Sequence, residues 1–434
     1  MKLRITSSQQ GHTVIFTLVA CLVLGVVLLG IMKLANQEGQ MTGRSQNWNN
    51  AMPIVEAGIE EAFSHLKYSP TNRDQNGWVF DSTVNPPYYT RTRTFQDGYY
   101  KVTISTNWNP VITSRAWLRA PAQKDFTITR AVRVRATNQP LFTAALEAPI
   151  AVILKGNGTR IDSYDSLDPL HSGPGGTYDP SKAKDGGDVV CYGGPGALNI
   201  GNGDINGKIK IGEDTTYTVG ANGSVGSMTW NQSGVQPGWS ETTEATDYPE
   251  MGAPVGGTRP TGGKVETTTY QYILDGNNAV YETDQQGLTG NMLVRGTNIS
   301  LVVNNTLTIG PKDTITILQN ASLKLYVRAA DVSFTGGVAN QSTDALHFMY
   351  FGLTENVSIS MGGNSSFRGV IYAPNAILNL NGGGGDAVDL QGAIIAKQVK
   401  VNGHYTFHFD EATRRFGSRG IVAASWDEIS PADL

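Results

Sequence analysis

Three groups of side chains in this 434-residue chain have the residue types that chemistry needs. Asp162, Asp165 and Asp168 recur every three residues in a turn-like stretch, and Asp386 and Asp389 flank Val388 after a run of glycines. His404, His408 and Asp410 are two or four residues apart, which puts them on one face of a strand. Two or three carboxylates on adjacent strands, with Lys, Arg or calcium, would suit acid–base cleavage of a polysaccharide. On an extended strand His404 and His408 stand about 13 Å apart, too far for one metal, while His408 and Asp410 at about 6.6 Å could share one. The plainer reading turns Tyr405, Phe407 and Phe409 into a core and leaves His404, His408 and Asp410 facing water. We follow the plainer reading for every cluster, so no catalytic, cofactor-binding or metal-ligating residue is assigned and no cofactor is expected. The glycine-rich stretches 201–209 (GNGDINGKI) and 257–265 (GTRPTGGKV) lack phosphate-loop spacing, and each places a hydrophobic residue where Ser or Thr would meet magnesium.

The elements that must position these groups are mostly β. Glycine makes up 51 of 434 residues, beside many Asn, Thr and Val, the usage of a chain with many tight turns. Between 299 and 334 five short alternating strands begin at Ile299, Leu307, Ile315, Leu323 and Val332. Later come Val357/Ile359/Met361, Phe367/Ile371, Leu378/Leu380, Val388/Leu390 and Val399/Val401. Near-constant pitch, short apolar doublets and Asn-rich bends predict a right-handed parallel β-helix, a solenoid whose doublets stack inward. The segment 228–296, with its Pro-Gly loops, is the least regular part. Ahead of the solenoid, 99–107 (Tyr100, Val102, Ile104) and 126–136 (Phe126, Ile128, Val132, Val134) alternate, with VITSRAWLRA between, which predicts a small antiparallel meander. Arg130, Arg133 and Arg135 read there as a solvated strand face.

The N-terminus is different. Val14–Met32 carries no charge over 19 residues, about 28 Å as a helix, enough to cross a bilayer. Lys2 and Arg4 precede it and Lys33 ends it, so the short tail stays cytoplasmic and the bulk is exported. Leu34, Met41, Trp48 and Val55 then recur every seven residues, and Met52, Val55, Ile59, Ala62/Phe63 and Leu66 at three- and four-residue steps. One long helix, 13–67, is predicted, apolar first and amphipathic later, with a kink or restart at Pro53. Glu56, Glu60 and Glu61 read as a solvated face, and Gly58 between them as a point of close approach. The net charge of −4 and the absence of a Lys/Arg run exclude a nucleic-acid footprint. Cys21 lies in the apolar run, so it forms no disulfide with Cys191.

The segment EAGIEEAF, 56–63, resembles the AEAG-hydrophobic-x-EA stretch of PilX-type minor pilins, and the QQGHT start, 9–13, resembles their leader. The meander resembles the β portion that follows the helix in PilX-like proteins. IDSYDS (161–166), GVIYAPNA (369–376), GAIIAKQV (392–399), FHFDEA (407–412) and SWDEI (425–429) look like the marks of a β-helical domain of unassigned function found behind such N-termini. The resemblance implies a prepilin-like leader 1–11, cut by a prepilin peptidase between Gly11 and His12, although a plain uncleaved anchor has the same hydropathy. Phe16 stands where pilins normally carry an early glutamate, a substitution that fits tip subunits of the PilX and pseudopilin K kind. The domains expected are the helix 12–67 with its span 14–32, the meander 68–140, the β-helix 141–410 and a tail or cap 411–434. The function implied is a non-enzymatic minor pilin or assembly subunit of a type IV pilus or pseudopilus. It would wait in the inner membrane, assemble with other pilins and the inner-membrane machinery, and display its head for priming or adhesion to a glycan or other surface. The alternatives are a membrane-tethered β-helical polysaccharide lyase or hydrolase, marked by carboxylates along one sheet in an open groove, and a simple anchored adhesin.

Overall fold

The computed structural model describes residues 10–68, 73–107, 109–120, 127–156, 158–283, 287–363, 366–382 and 388–430. Phe126 and Asp386, and the leader up to residue 9, lie outside the described residues, as do the side chains of Gly11 and His12. The chain divides into two compact units, residues 1–139 with 420–434, and residues 140–419.

In the first unit, α1 (Gln10–Tyr68) is a single 59-residue helix. The large apolar side chains of its first half are exposed, and the helix there is long and apolar enough to cross a membrane. Leu34, Met41 and Trp48 are also exposed. The last turns behave differently. Ala51, Val55, Gly58, Ile59, Ala62 and Leu66 are buried, a stripe at the three- and four-residue spacing of one helix face. The helix continues through Pro53 without the expected restart. Pro53 and Asn49, whose carbonyl loses its partner, are both exposed, so water can satisfy the freed group.

That stripe seats on an antiparallel sheet of β1 (Val79–Asp81), β2 (Tyr88–Thr94), β3 (Gly98–Ser105), β4 (Val111–Arg119) and β5 (Thr127–Gln139), in that order. Tyr100, Val102 and Ile104 of β3, Ile112 and Ala116 of β4, and Val132 and Val134 of β5 form the shared core with α1. A Cβ on Gly58 would sit 2.3 Å from Ser114 Oγ, so the glycine is what lets helix and sheet meet. The segment expected as a tail from residue 411 carries a strand, Gly420–Ile429, which pairs antiparallel with β5 and completes the sheet. Glu61 does not face water as its neighbours Glu56 and Glu60 do. It binds Arg93 Nη2 at 2.7 Å and Arg91 Nε at 3.0 Å and accepts a hydrogen bond from Tyr100 Oη. Burial pushes its carboxyl up, but the bonds from Arg93 and Tyr100 and the charge of Arg91 outweigh that and hold it below the usual range. Arg130 likewise turns to the helix side, 5.0 Å over the Trp48 ring and bonded to Glu428 at 2.8 Å, whereas Arg135 is exposed as expected.

The second unit is a parallel β-helix. Ile299 pairs with Leu323, and Leu323 with Phe348, so a coil here takes 24 or 25 residues and three strands. Each strand therefore pairs with the third one along, and the eight-residue pitch of the sequence is the distance between corners. Leu288, Leu307, Val332, Ile359, Leu378, Val399, Val152 and Leu198 are consecutive partners in one buried ladder. The apolar doublets point inward because alternate residues of a strand share a face. At one corner Asn278 and Asn298 have positive φ, 57° and 52°, and Asn298 Nδ2 donates to Asn278 Oδ1 at 2.7 Å.

The ladder order also reveals the winding. The first coil, 146–164, is paired on one side with strands 189–206 and on the other with strands 394–410. The chain thus enters in the middle of the stack and winds outward to Thr242. It then passes as a strand-poor strap to the opposite end, closes that end with the hairpin Thr261–Val265/Thr268–Leu274, and winds back until 394–410 docks on 146–164. The irregularity of 228–296 is this return.

Candidate functional site

The docking of last coil on first brings the sequence's carboxylates and histidine together. His408, in strand Tyr405–Asp410, is the direct partner of Asp162, in strand Arg160–Tyr164. His408 Nδ1 lies 2.5 Å from Asp162 Oδ1, and Nε2 lies 3.7 Å from Asp389 Oδ1, one strand further along the same sheet. Tyr178, from the excursion that follows the first coil, lays its ring on the imidazole at 3.5 Å and donates its hydroxyl to Asp162 Oδ2 at 2.7 Å. Arg160 Nε stands 3.4 Å from the same oxygen. Asp162 is wholly buried and His408 is 4% exposed.

The expectation that His408 and Asp410 face water is therefore wrong, because the excursion 165–188 and the short turn Glu411–Arg415 cover that face. Asp410 Oδ1 accepts from the backbone N–H of Ser166 at 3.0 Å and of Ala412 at 3.1 Å, and Oδ2 from Ala345 at 3.2 Å. Burial raises its carboxyl pKa, and the three amides only partly oppose that. Burial also pushes the His408 imidazole down, but the bond to Asp162 and the nearby Asp389 carboxylate outweigh it and leave its pKa raised. The nearby His408 imidazole, with the hydroxyl of Thr406, holds Asp389 below the usual carboxylate range. His404 is half-buried, and Asp165 and Asp168 cap their own turns, accepting from Leu167 N at 3.0 Å and Leu170 N at 2.9 Å. Among the described residues no group of three or more His, Cys, Asp or Glu is placed to hold a metal ion.

The motifs singled out in the sequence have a physical reason to stand out. IDSYDS and FHFDEA are paired strands. Beyond Asp162 and His408, Ser163 Oγ donates to Glu411 Oε1 at 2.8 Å, and Ser166 N to Asp410. GVIYAPNA and GAIIAKQV are neighbours in register, Gly369 opposite Gly392 and Ala373 opposite Ala396. The sequence reading had no means of finding a second buried cluster, in which Arg419 grips both carboxylate oxygens of Glu147. Arg419 Nη1 also donates to Thr246 Oγ1 at 2.6 Å, and Tyr248 Oη to Glu147 Oε1 at 2.9 Å, which pins the return strap to the solenoid. The partners are distant in sequence and no local pattern announces them. Along the strap a cavity of about 420 Å³ opens beside Tyr248, Pro249 and Tyr372.

Phe16 is 79% exposed on the apolar part of α1. Residues 239–416, which span the strap and the inward-winding coils, match the family model described as Domain of unknown function (DUF7305). No curated protein matches the chain. Among solved structures, the competence-associated pilin ComZ from Thermus thermophilus aligns over 89% of this chain and 98% of its own, at 13% identity and a TM-score of 0.23, a level of similarity that carries no argument about this chain.

Proposed function

We propose that the chain is a pilin-like subunit: a minor pilin or assembly subunit of a type IV pilus or pseudopilus that carries a β-helical head. One observation supports this above others. A single helix divides into an apolar half with no partner among the described residues and an amphipathic end seated on an antiparallel sheet. Such a helix needs either a bilayer or the helices of neighbouring subunits to cover its first half. In this reading the subunit waits in the inner membrane, is cut between Gly11 and His12 by a prepilin peptidase, and joins other pilins through α1. The head then stands outside the cell at or near the filament tip, where its bulk is least crowded, and binds a surface or glycan. We read the head as non-catalytic. Of the carboxylates that could serve a polysaccharide-cleaving site, Asp162 is closed to solvent and engaged by His408, Tyr178 and Arg160. Phe16 fits a tip position, since an unpaired carboxylate in lipid is costly and a subunit with none above it has no amine to pair.

N-terminal sequencing of the mature protein, from cells with an active prepilin peptidase, tests the assignment. The expected first residue is His12; an intact Met1 would sink it. The tip position has its own test in Phe16→Glu, which is expected to change filament number or tip composition. If both are unchanged, the residue carries no positional information.

A further inference from the structure

The face of the antiparallel sheet turned away from α1 holds a pocket of about 340 Å³ lined by Tyr88, Lys101, Thr103, Thr113, Arg115 and Trp117. These side chains alternate with the buried Val102, Ile104, Ile112 and Ala116, so they belong to the opposite face of β3 and β4. Lys101 and Arg115 are direct cross-strand partners. Like charges so placed oppose folding of the sheet, and an anion bound between them would relieve that. Arg115 makes no ion pair among the described residues, and its Nε is shut off from solvent without a hydrogen-bond partner. Its guanidinium lies 4.6 Å over the Trp117 ring, which is itself stacked on Tyr99 at 4.5 Å. A stacked guanidinium has its plane fixed and its N–H edge free, the geometry that reads an oxyanion. The acid at the rim is Asp81, which accepts from the Tyr88 hydroxyl and lies within electrostatic reach of Lys101. Thr90, the partner of Thr103 on β2, also has a buried hydroxyl without a partner.

We propose that this pocket binds an oxyanion group, phosphate or carboxylate, carried by a molecule from outside the chain. Arg115 and Lys101 neutralise it, and the Thr113 hydroxyl donates to it. The headgroups of the membrane that holds α1 are not the source. The helix is hydrogen-bonded to the sheet where Asn47 Nδ2 donates to Arg119 O, and the turns between Met32 and Asn47 add about 22 Å, beyond the ~8 Å reach of a surface potential. The ligand is therefore a soluble or surface-borne anion, and its site is the same whether or not the chain assembles into a filament.

The test is equilibrium dialysis of the detergent-solubilised full chain against inorganic phosphate and, separately, acetate. Saturable binding of at least one probe is expected at one site per chain. Arg115→Gln is expected to weaken it at least about tenfold, the loss of a charge-assisted hydrogen bond. Arg135→Gln, an exposed cation on the same sheet but outside the pocket, is expected to leave it within about twofold. Thermal unfolding supplies a second readout. In low salt without ligand, Arg115→Gln is expected to raise the Tm by relieving repulsion from Lys101, while only the wild type gains Tm from the bound probe. Should Arg115→Gln fail to fold, Lys101→Gln carries the same comparison. No saturable binding of either probe, or equal weakening by Arg135→Gln, would overturn the proposal.

Discussion

His408 is held by groups from two strands and one loop, and their charges set its response to pH. Asp162 and Asp389 flank its two ring nitrogens, Tyr178 covers its face, and Arg160 stands on the far side of Asp162. The folded pKa is raised above the ordinary 6.5. Its contribution to stability is therefore complete below about pH 6.5 and is lost as pH rises through the folded value. Asp389 works the other way, since its depressed pKa stabilises above the ordinary carboxylate value and fails on acidification. A comparison with His408→Gln isolates the imidazole. The wild type is expected to exceed the variant by ~1–3 kcal/mol near pH 6, and the gap to narrow steadily toward pH 9. Thermal unfolding of both proteins across that range checks it, and parallel curves would remove His408 as the source. The sequence pointed to these residues but assigned them the wrong side. Alternation on 404–410 is real, yet both faces are covered, one by the core and one by a loop that strand periodicity does not register.

At the scale of elements, the joint between α1 and its sheet rests on small residues. A Cβ at position 58 would meet Ser114 Oγ at 2.3 Å and Tyr100 Cδ2 at 3.1 Å, while the Ser114 hydroxyl is itself buried without a partner. Gly58→Ala gains up to ~1 kcal/mol of helix propensity but overpacks a seam, at ~1–3 kcal/mol. The net expectation is destabilisation of about 1 kcal/mol. Ser114→Ala alone is expected to be neutral or stabilising, because it removes an orphan hydroxyl, and to rescue Gly58→Ala in the double variant. Non-additive unfolding free energies would establish the contact, and simple additivity would refute it. Gly58 was legible because a glycine inside an amphipathic helix needs a reason. The solenoid strands were legible for the same kind of reason, their inward doublets. β2 was not, since its Tyr-Tyr-Thr-Arg-Thr-Arg-Thr run has no apolar alternation, and the closing strand Gly420–Ile429 is mostly exposed and pairs with residues nearly three hundred positions earlier.

At the scale of the molecule, the solenoid is an insertion within a sheet. Gln139 and Gly420, the residues at its borders, are direct partners in the antiparallel pair. Replacing 140–419 with Asn-Gly should therefore close β5 and Gly420–Ile429 as an ordinary hairpin and leave the helix–sheet unit folded. Far-UV dichroism and protease resistance of the shortened chain in detergent check this; an unfolded or protease-sensitive product would show that the unit depends on its insert. The winding order was invisible in the sequence, because every coil carries the same inward doublets whichever neighbour it stacks on. Only the ladder partners distinguish a chain that winds once from end to end from one that starts in the middle and returns.

The paired borders also decide how the molecule bears a load. Tension applied to the solenoid leaves it through two covalent strands side by side, β5 and Gly420–Ile429, both drawn from the same end. β5 passes its share on along the chain to β4 and so to α1. Gly420–Ile429 joins the sheet through its ladder with β5, so its share crosses those hydrogen bonds lengthwise, and they are loaded together in shear rather than unzipped one by one.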